Sequence, residues 1–311
     1  MIPIIVICGP TATGKTRAGV ELCRRYGGEV ISADSMQIYR ELKICTAKPG
    51  EEEMGGIPHH LIDFVQPDEA FSVARYVELA HRAAKDIWSR GKIPVMVGGT
   101  GLYIRSFADN IDFSHMSDDT SLRRQLESEA AELGAQAMHE RLRSIDPAAA
   151  EKIHPNNVIR VIRAIEMNMI SGRTVDENKA MSRQTASPYK VCMIGLSTAD
   201  RSVLYERIDR RVDRMVEEGL ADEVRRVREK YSTRTAFNAI GYKEMLPYLD
   251  GECSLEEAVD RIKQGTRNYA KRQLTFFRRD DRISWVDVTD IMQYDGIIKN
   301  CMNIVEKSEI M

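Results

Sequence analysis

The stretch "GPTATGKT", residues 9–16, follows the apolar run "IIVIC", residues 4–8, and it decides the fold. The apolar run has the length and composition of a buried parallel strand. The octapeptide has two glycines separated by four residues, then lysine and threonine, which is the phosphate-loop pattern. A chance glycine-rich turn is the alternative. The strand before the loop and the helical pattern after it favour a phosphate loop.

The loop predicts a site for a diphosphate-like polyanion, because glycines let backbone amides close around phosphate oxygens. The N-terminus of the following helix adds positive potential. Lys15 contributes a point charge, and Thr16 can bind Mg²⁺. The predicted diphosphate- or nucleotide-binding residues are Gly9, Pro10, Thr11, Ala12, Thr13, Gly14, Lys15 and Thr16. Most such loops bind ATP or another nucleoside triphosphate, so the loop alone leaves the reaction open.

Composition narrows the class of protein. The chain has 311 residues and a net charge of −2, so a polyanion site must come from local clusters of basic residues. Six well-separated cysteines without a CxxC pair suit reduced thiols better than disulfides or a zinc site. No export signal or membrane span is evident. We therefore expect a cytoplasmic protein that does not bind membranes.

The order of elements predicts an α/β fold: a P-loop-type parallel sheet flanked by helices, with an all-helical insertion domain. Helices are predicted over 15–26, 200–230 and 254–277. Between a polar linker that follows residue 112 and a second polar segment over 171–188, only helical periodicity is present over residues 121–170, whereas strand patterns occur on either side. The predicted strands cover 2–8, 29–33, 59–64, 92–99, 189–197 and 282–288. The predicted domains are 1–112, the first part of the core; 113–188, the helical insertion; and 189–311, the second part of the core with basic C-terminal helices.

Two strand ends add candidate chemistry. Asp34 follows the second strand, where a carboxylate can accept a proton from an attacking group, although a turn or N-cap role is equally compatible. The sequence "GGTGLY", residues 98–103, would let a ligand approach the backbone and places the Thr100 hydroxyl there. A simple strand-to-helix turn is the alternative. A kinase usually has an Asp at the end of a further apolar strand, where it organises Mg²⁺. Here the strongest candidate strand, "IPVMVGG", ends in glycines, and Asp63 follows only a short strand pattern. This disfavours a kinase.

Basic residues recur on the predicted helices. Lys263, Arg267, Lys271 and Arg278 share one face of the helix over 254–277, which suits a nucleic-acid backbone. A solvated charged face is the alternative. Arg160 and Arg163, and likewise Arg207 and Arg211, also share helix faces. Pairing with neighbouring acidic residues would explain those arginines equally well.

Together these stretches resemble the tRNA dimethylallyltransferases, also called tRNA isopentenyltransferases. The matching segments run in order from residue 9 to residue 279: "GPTATGKT", "ISADSMQIYR", "TAKP", "PHHLID", "GKIPVMVGGTGLYIRSF", "IHPNNVIRVIRAIE", "LYERIDRRVDRMVEEGL", "AIGYKEM" and "TRNYAKRQLTFFRR". Cys45 stands where the family usually has Gly, and Asn157 where it usually has Asp. Neither departure removes a proposed catalytic group.

The resemblance implies transfer of a dimethylallyl group from dimethylallyl diphosphate to N6 of adenosine 37 in tRNAs with adenosine at positions 36, 37 and 38. Diphosphate is the leaving group of this transfer, and Mg²⁺ is the cofactor that the resemblance implies. By resemblance Asp34 is the base, Thr100 positions the reacting groups, and Arg211, with Arg207, stabilises the leaving group. The family also implies a monomer, and the target base must leave its stack.

The resemblance further assigns tRNA binding to the helical insertion and to several loops. The predicted tRNA-binding residues are Asp34, Ser35, Met36, Gln37, Thr100, Arg123, Ile159, Arg160, Val161, Ile162, Arg163, Ile240, Gly241, Tyr242 and Lys243. Three alternatives remain open: a small-molecule P-loop kinase, an adenylate isopentenyltransferase, and a non-catalytic RNA-binding protein gated by a nucleotide.

Overall fold

Residues 1–113, 121–232 and 236–310 are described by the computed structural model. In this part of the chain, six strands form a single sheet whose neighbouring strands all pair in parallel. The strands are β1 (Ile2–Cys8), β2 (Gly28–Ala33), β3 (His59–His60), β4 (Ile93–Gly98), β5 (Tyr189–Ser197) and β6 (Ile283–Asp287). Their order is β3-β2-β4-β1-β5-β6. The predicted fold class, a parallel sheet flanked by helices, is confirmed.

Helices connect the strands and cover the sheet. The helices before β5 are α1 (Lys15–Tyr26), α2 (Glu51–Met54), α3 (Val73–Ser89), α4 (Gly101–Ala108), α5 (Ser121–Ile145), α6 (Pro147–Lys152), α7 (Val158–Ser171) and α8 (Val175–Met181). Those after β5 are α9 (Arg201–Glu217), α10 (Leu220–Lys230), α11 (Tyr242–Leu249), α12 (Leu255–Phe277) and α13 (Tyr294–Lys307). Short 3-10 turns lie at Ala236–Asn238 and Ile291–Gln293.

The register of the sheet brings three loops together. In the paired strands, Cys8 at the end of β1 and Ala33 at the end of β2 are both partners of Gly98 at the end of β4. Because parallel strands place their carboxyl ends at one edge, the phosphate loop, Asp34 and Thr100 follow from the same edge of the sheet. Buried aliphatic side chains such as Ile5 and Ile7, both 0% exposed, hold β1 inside the core.

The chain divides into two compact units. One comprises residues 1–108 and 188–311, and the other comprises residues 109–187. The second unit consists of α5 to α8 around its own apolar core, which includes Leu126, Leu142, Val161 and Ile165. Residues 114–120, which belong to the polar segment predicted to enter the insertion, lie outside the described residues.

Three predicted elements differ from the structure. The predicted strand over 59–64 ends at His60, because Leu61 and Asp63 have φ of 59° and 58° and turn the chain. The predicted long helix over 200–230 is divided by Gly219, whose φ of 93° is incompatible with a continuous helix. In the polar segment 171–188, α8 forms with a capping box between Thr174 and Glu177.

Within the described residues, none of the helices combines the length and the apolar character needed to cross a membrane.

Candidate active site

The phosphate loop has the shape expected of an anion-binding turn. Ala12 and Gly14 have positive φ, 62° and 78°, so successive amides after Thr11 change direction sharply. The Thr13 hydroxyl and the Lys15 ammonium both donate to the Pro10 carbonyl, over 2.9 Å and 2.6 Å. A Cβ at Gly9 would lie 2.3 Å from the Leu196 carbonyl oxygen, so this position has no room for a side chain.

The charge of Lys15 is sensitive to its surroundings. Burial, together with the positive charge of Arg211, lowers the pKa of Lys15 to about 8, while the negative charge of Asp34 opposes the fall. Burial also lowers the pKa of Arg211, and Asp34 opposes that fall as well. Two cations and one carboxylate therefore act on one another in the same site, and a bound polyanion would relieve the repulsion between the cations.

The two arginines of α9 have different surroundings. The Arg207 guanidinium donates to the carbonyls of Val288 and Thr289, over 2.8 Å and 2.9 Å. Arg211, one turn further along α9, has neither a hydrogen bond nor an ion pair with the described residues. Its guanidinium is therefore available to a ligand beside Lys15, whereas Arg207 holds the segment after β6.

Asp34 has the turn role that its sequence position allowed. Its Oδ1 accepts hydrogen bonds from the amides of Met36 and Gln37, at 2.9 Å and 3.3 Å, which is an Asx turn. Its Oδ2 accepts no hydrogen bond from the part of the chain that the structure describes. The turn fixes the orientation of the half-buried carboxylate and leaves one oxygen available to a substrate.

The segment after β4 is tied to the Asp34 turn. The Thr100 amide donates to the Ala33 carbonyl over 3.0 Å, and the Thr100 hydroxyl accepts from the Ser35 amide over 2.9 Å. The same hydroxyl donates to the Ser35 hydroxyl over 3.3 Å. A Cβ at Gly98 would lie only 2.1 Å from the Ala33 carbonyl oxygen, so glycine is required for this close approach.

Two α12 residues that the sequence analysis did not select also reach this site. Gln273, 5% exposed, contacts both the phosphate loop and Gly99. Burial and the negative charge of Asp34 raise the pKa of Tyr269, while hydrogen bonding to Thr100 and Gln273 opposes the rise. Both residues lie in the motif "YAKRQLTFFR", which pointed to the family but did not reveal what they contact.

Thr16 is the second residue of α1, after Lys15, and its hydroxyl has no hydrogen-bond partner within the described ranges. Asp63, the substitute metal ligand considered from the sequence, is ion-paired with Lys48. Among the described residues no group of three or more His, Cys, Asp or Glu side chains is arranged to hold a metal ion. A divalent cation at this loop would therefore rely on Thr16, substrate phosphates and water, which is typical of Mg²⁺.

Comparisons with known proteins agree with this geometry. The family model described as IPP transferase matches residues 37–280, and the model described as isopentenyl transferase matches residues 2–71. The chain belongs to the IPP transferase family. It is 48% identical over 303 residues to a tRNA dimethylallyltransferase of Halalkalibacterium halodurans, covering 97% of this chain and 96% of that protein. It is 50% identical to a tRNA dimethylallyltransferase of Acetivibrio thermocellus, covering 96% and 95%.

Solved structures of this family have the same fold. The full-length tRNA isopentenylpyrophosphate transferase of Bacillus halodurans matches with a TM-score of 0.75 and 45% identity, covering 99% of this chain and 97% of that one. A eukaryotic dimethylallyltransferase captured acting on tRNA matches with a TM-score of 0.84 and 31% identity, covering 96% of this chain and 77% of that one.

In this IPP transferase, the helical unit contains an arginine cluster. Arg123 of α5 donates to the Glu166 carboxylate at 3.0 Å and 3.2 Å, and Arg163 donates to the same carboxylate. Glu166 is only 1% exposed, so a buried acid orients two half-exposed guanidinium groups. Two of the three predicted tRNA-binding arginines are therefore neighbours, and the acid between them is a functional candidate that the sequence analysis missed.

The remaining predicted RNA-binding residues of α7 differ in exposure. Ile159 is 83% exposed, and Arg160 is also exposed. Val161 and Ile162 are buried in the core of the helical unit, so they could act on RNA only by supporting the helix. Asn157 is the N-cap of α7 but makes no capping hydrogen bond through its side chain.

The segment 240–243 and the turn containing Cys45 share one buried acid. Glu223, 1% exposed, accepts hydrogen bonds from the amides of residues 43, 44 and 45 and from the Tyr242 hydroxyl at 3.3 Å. Tyr242 is fully buried, so its side chain supports the loop rather than offering a surface. Ile240 is half-buried, Gly241 has φ of 103°, and the exposed Lys243 pairs with Glu244 at 3.4 Å.

The predicted basic stripe of α12 is partly neutralised. Lys263 pairs with Asp213 at 2.6 Å, and Arg267 binds both oxygens of Asp209 at 2.7 Å and 2.8 Å. Lys271 and Arg278 are exposed and form no ion pair with the described residues. Ion pairing therefore explains the first half of the stripe, and the second half remains open to phosphate.

Proposed function

We propose that this protein transfers the dimethylallyl group of dimethylallyl diphosphate to N6 of adenosine 37 in tRNA. The products are N6-isopentenyladenosine and diphosphate. One observation supports this most strongly: the chain matches tRNA dimethylallyltransferases over nearly its whole length, and the phosphate loop, Asp34 and Thr100 follow strands at one edge of its sheet.

The phosphate loop binds the donor and stabilises the leaving group. As the C1–O bond of the donor breaks, negative charge grows on the departing diphosphate. The loop amides, the Lys15 ammonium and the Arg211 guanidinium, which forms no ion pair with the described residues, stabilise that charge. Arg207 supports the same helix through its bonds to carbonyl groups.

Mg²⁺ fits the donor end of this site. Thr16, whose hydroxyl makes no hydrogen bond with the described residues, is the residue that would hold it. When bound, Mg²⁺ supplies further positive charge to the diphosphate oxygens.

Asp34 activates the acceptor. Adenine N6 is a weak nucleophile because its lone pair is delocalised into the ring. The carboxylate of Asp34 accepts the N6 proton as the C1–N6 bond forms, through the oxygen that its own turn leaves unbonded. Thr100 holds the turn that carries Asp34.

The tRNA binds through both units of the chain. Arg123 and Arg163, both bound to the buried Glu166, present a mixed basic and apolar surface on the helical unit together with the exposed Ile159 and Arg160. Arginines held in this way suit phosphates, and an exposed aliphatic side chain suits an unstacked base.

The protein acts as a cytoplasmic monomer.

One assay tests this proposal and its alternatives. The protein is incubated with labelled dimethylallyl diphosphate, Mg²⁺ and unmodified tRNA, and the digested RNA is searched for labelled N6-isopentenyladenosine. A matched tRNA with guanosine at position 37 is the control and remains unlabelled. In parallel reactions, label on added adenosine monophosphate supports an adenylate isopentenyltransferase, and ADP released when ATP replaces the donor supports a kinase. Binding of tRNA without product supports an RNA-binding protein.

A further inference from the structure

Gln273 connects two loops that are far from it in sequence. Its side-chain oxygen accepts a hydrogen bond from the Thr11 amide at 3.0 Å, and its side-chain nitrogen donates to the Gly99 carbonyl at 2.9 Å. The side chain is 5% exposed. Both ends of one buried amide are therefore satisfied, one by the phosphate loop and the other by the segment that carries Thr100.

The two hydrogen bonds require a side-chain amide whose oxygen faces Thr11 and whose nitrogen faces Gly99. The Thr11 N–H can only donate and the Gly99 carbonyl can only accept, so the two partners determine which end of the amide faces which loop. An aliphatic residue would leave a part-buried N–H and a buried carbonyl without partners, which is costly. A glutamate would satisfy Thr11 but would place an acceptor against the Gly99 carbonyl.

The bond to Thr11 restricts the phosphate loop at the point where its direction changes. Thr11 directly precedes Ala12, whose φ is 62°, and Ala12 packs against the apolar cluster of Leu204, Ile208 and Ala270 on α9 and α12. Because the Thr11 amide is bound to Gln273, the amides that follow it are held in the direction required for an anion.

Gly99 is required by the position of Gln273. A Cβ at Gly99 would lie 2.2 Å from the Gln273 nitrogen, and the nearest atom outside that side chain is the Gly9 carbonyl oxygen at 3.6 Å. The space beside Gly99 is thus limited by the glutamine amide. One helical turn away, Phe276 packs in the same way against Gly101, where a Cβ would lie 2.3 Å from the ring.

We infer that Gln273 is a positioning residue for the transferase reaction, which holds the phosphate loop and the Thr100 segment in their substrate-binding arrangement. This inference rests on the proposed function only in taking the loop as the diphosphate site. It assigns Gln273 no contact with the reacting atoms.

The first test compares Gln273→Leu with the wild-type protein and with Gln264→Leu, which removes an exposed glutamine from the same helix. Calorimetry with inorganic diphosphate and Mg²⁺ should show affinity lower by about ten- to a hundredfold in Gln273→Leu, which corresponds to about 1.4–2.8 kcal/mol, because two hydrogen-bonding groups lose their shared partner. The KM for dimethylallyl diphosphate should rise by a similar factor. The affinity for tRNA, measured by filter binding, should stay within about twofold of the wild-type value.

A merely structural role gives a different result. If Gln273 only supported folding, Gln273→Leu would lower the melting temperature and the active fraction, and so kcat, while the KM and the diphosphate affinity stayed at wild-type values. That result would overturn the inference.

The second test uses the close approach at Gly99. Gly99→Ala should reproduce the loss of diphosphate affinity by displacing the glutamine amide. In a Gln273→Ala background the same Gly99→Ala change should have almost no further effect, because the clashing atom is gone. If Gly99→Ala lowered the diphosphate affinity equally in the wild-type and Gln273→Ala backgrounds, the inference would be contradicted. If the wild-type protein transfers no dimethylallyl group, the proposed function fails, and the calorimetric comparison still decides the role of Gln273.

Discussion

The Thr100 hydroxyl oxygen accepts a hydrogen bond from the Ser35 backbone amide at 2.9 Å. This bond joins the ends of two neighbouring strands, β4 and β2, immediately beside Asp34. The carboxylate that would accept a proton therefore lies in a turn held from two sides, by its own bonds to the Met36 and Gln37 amides and by Thr100. Such preorganisation reduces the reorganisation needed when substrates bind.

Asp34→Asn should lower kcat by about a hundredfold or more, because the amide keeps the turn but cannot accept the N6 proton. Its affinity for tRNA should be nearly unchanged. The measurement is single-turnover transfer of label from dimethylallyl diphosphate to tRNA, with filter binding in parallel. Asp63→Asn is the matched control, since Asp63 also lies in a turn but is paired with Lys48. Wild-type turnover in Asp34→Asn would exclude Asp34 as the base.

The activity should depend on pH through Lys15. The pKa of Lys15 is lowered to about 8, so the ammonium is charged below that pH and loses its proton above it. The value of kcat/KM for dimethylallyl diphosphate, which reports the free enzyme, should thus fall by about tenfold per pH unit above about 8. Lys15→Arg should lower the maximum but remove this decline, because guanidinium stays charged. A decline that persists in Lys15→Arg would assign the ionisation to another group.

The two arginines of α9 should behave differently on substitution. Arg211→Gln should lower kcat by about tenfold to a hundredfold, because it removes a cation placed to stabilise the departing diphosphate. Arg207→Gln should chiefly lower the melting temperature, since its guanidinium binds the carbonyls of Val288 and Thr289. Steady-state kinetics and thermal unfolding of both variants separate the two roles. A large loss of kcat in Arg207→Gln, with only a lower melting temperature in Arg211→Gln, would assign the two roles the other way round.

The sequence predicted the central strands and the phosphate loop closely. The predicted segments 2–8, 15–26 and 189–197 coincide with β1, α1 and β5, because long buried apolar runs and the glycine-lysine pattern have few alternative structures. Segments whose conformation depends on single backbone angles were less predictable. Gly219 divides the predicted helix over 200–230, and the positive φ of Leu61 ends β3 early.

Long-range partners could not be read from local patterns. Gln273 lies 262 residues from Thr11, and nothing in the periodicity of α12 distinguishes a glutamine that binds a loop from one that faces solvent. The same limit applies to Arg267, which the sequence placed on a basic stripe and which the structure pairs with Asp209 of α9. Charge patterns identify the face of a helix, whereas the partner depends on the packing of another helix.

Glu166 is the acid that should determine RNA selectivity in the helical unit. Its buried carboxylate orients Arg123 and Arg163, and Glu166→Gln would leave the two guanidinium groups mutually repelling and less ordered. Because the substitution also adds net positive charge, binding to unrelated RNA should not weaken. We therefore expect the ratio of affinities for the anticodon stem-loop and for an unrelated hairpin to fall by about fivefold, measured at about 0.15 M salt. Glu129→Gln, which loses only the ion pair with Arg141 in the same unit, should leave the ratio unchanged. An equal ratio in Glu166→Gln and the wild-type protein would show that the arginine cluster does not read the RNA.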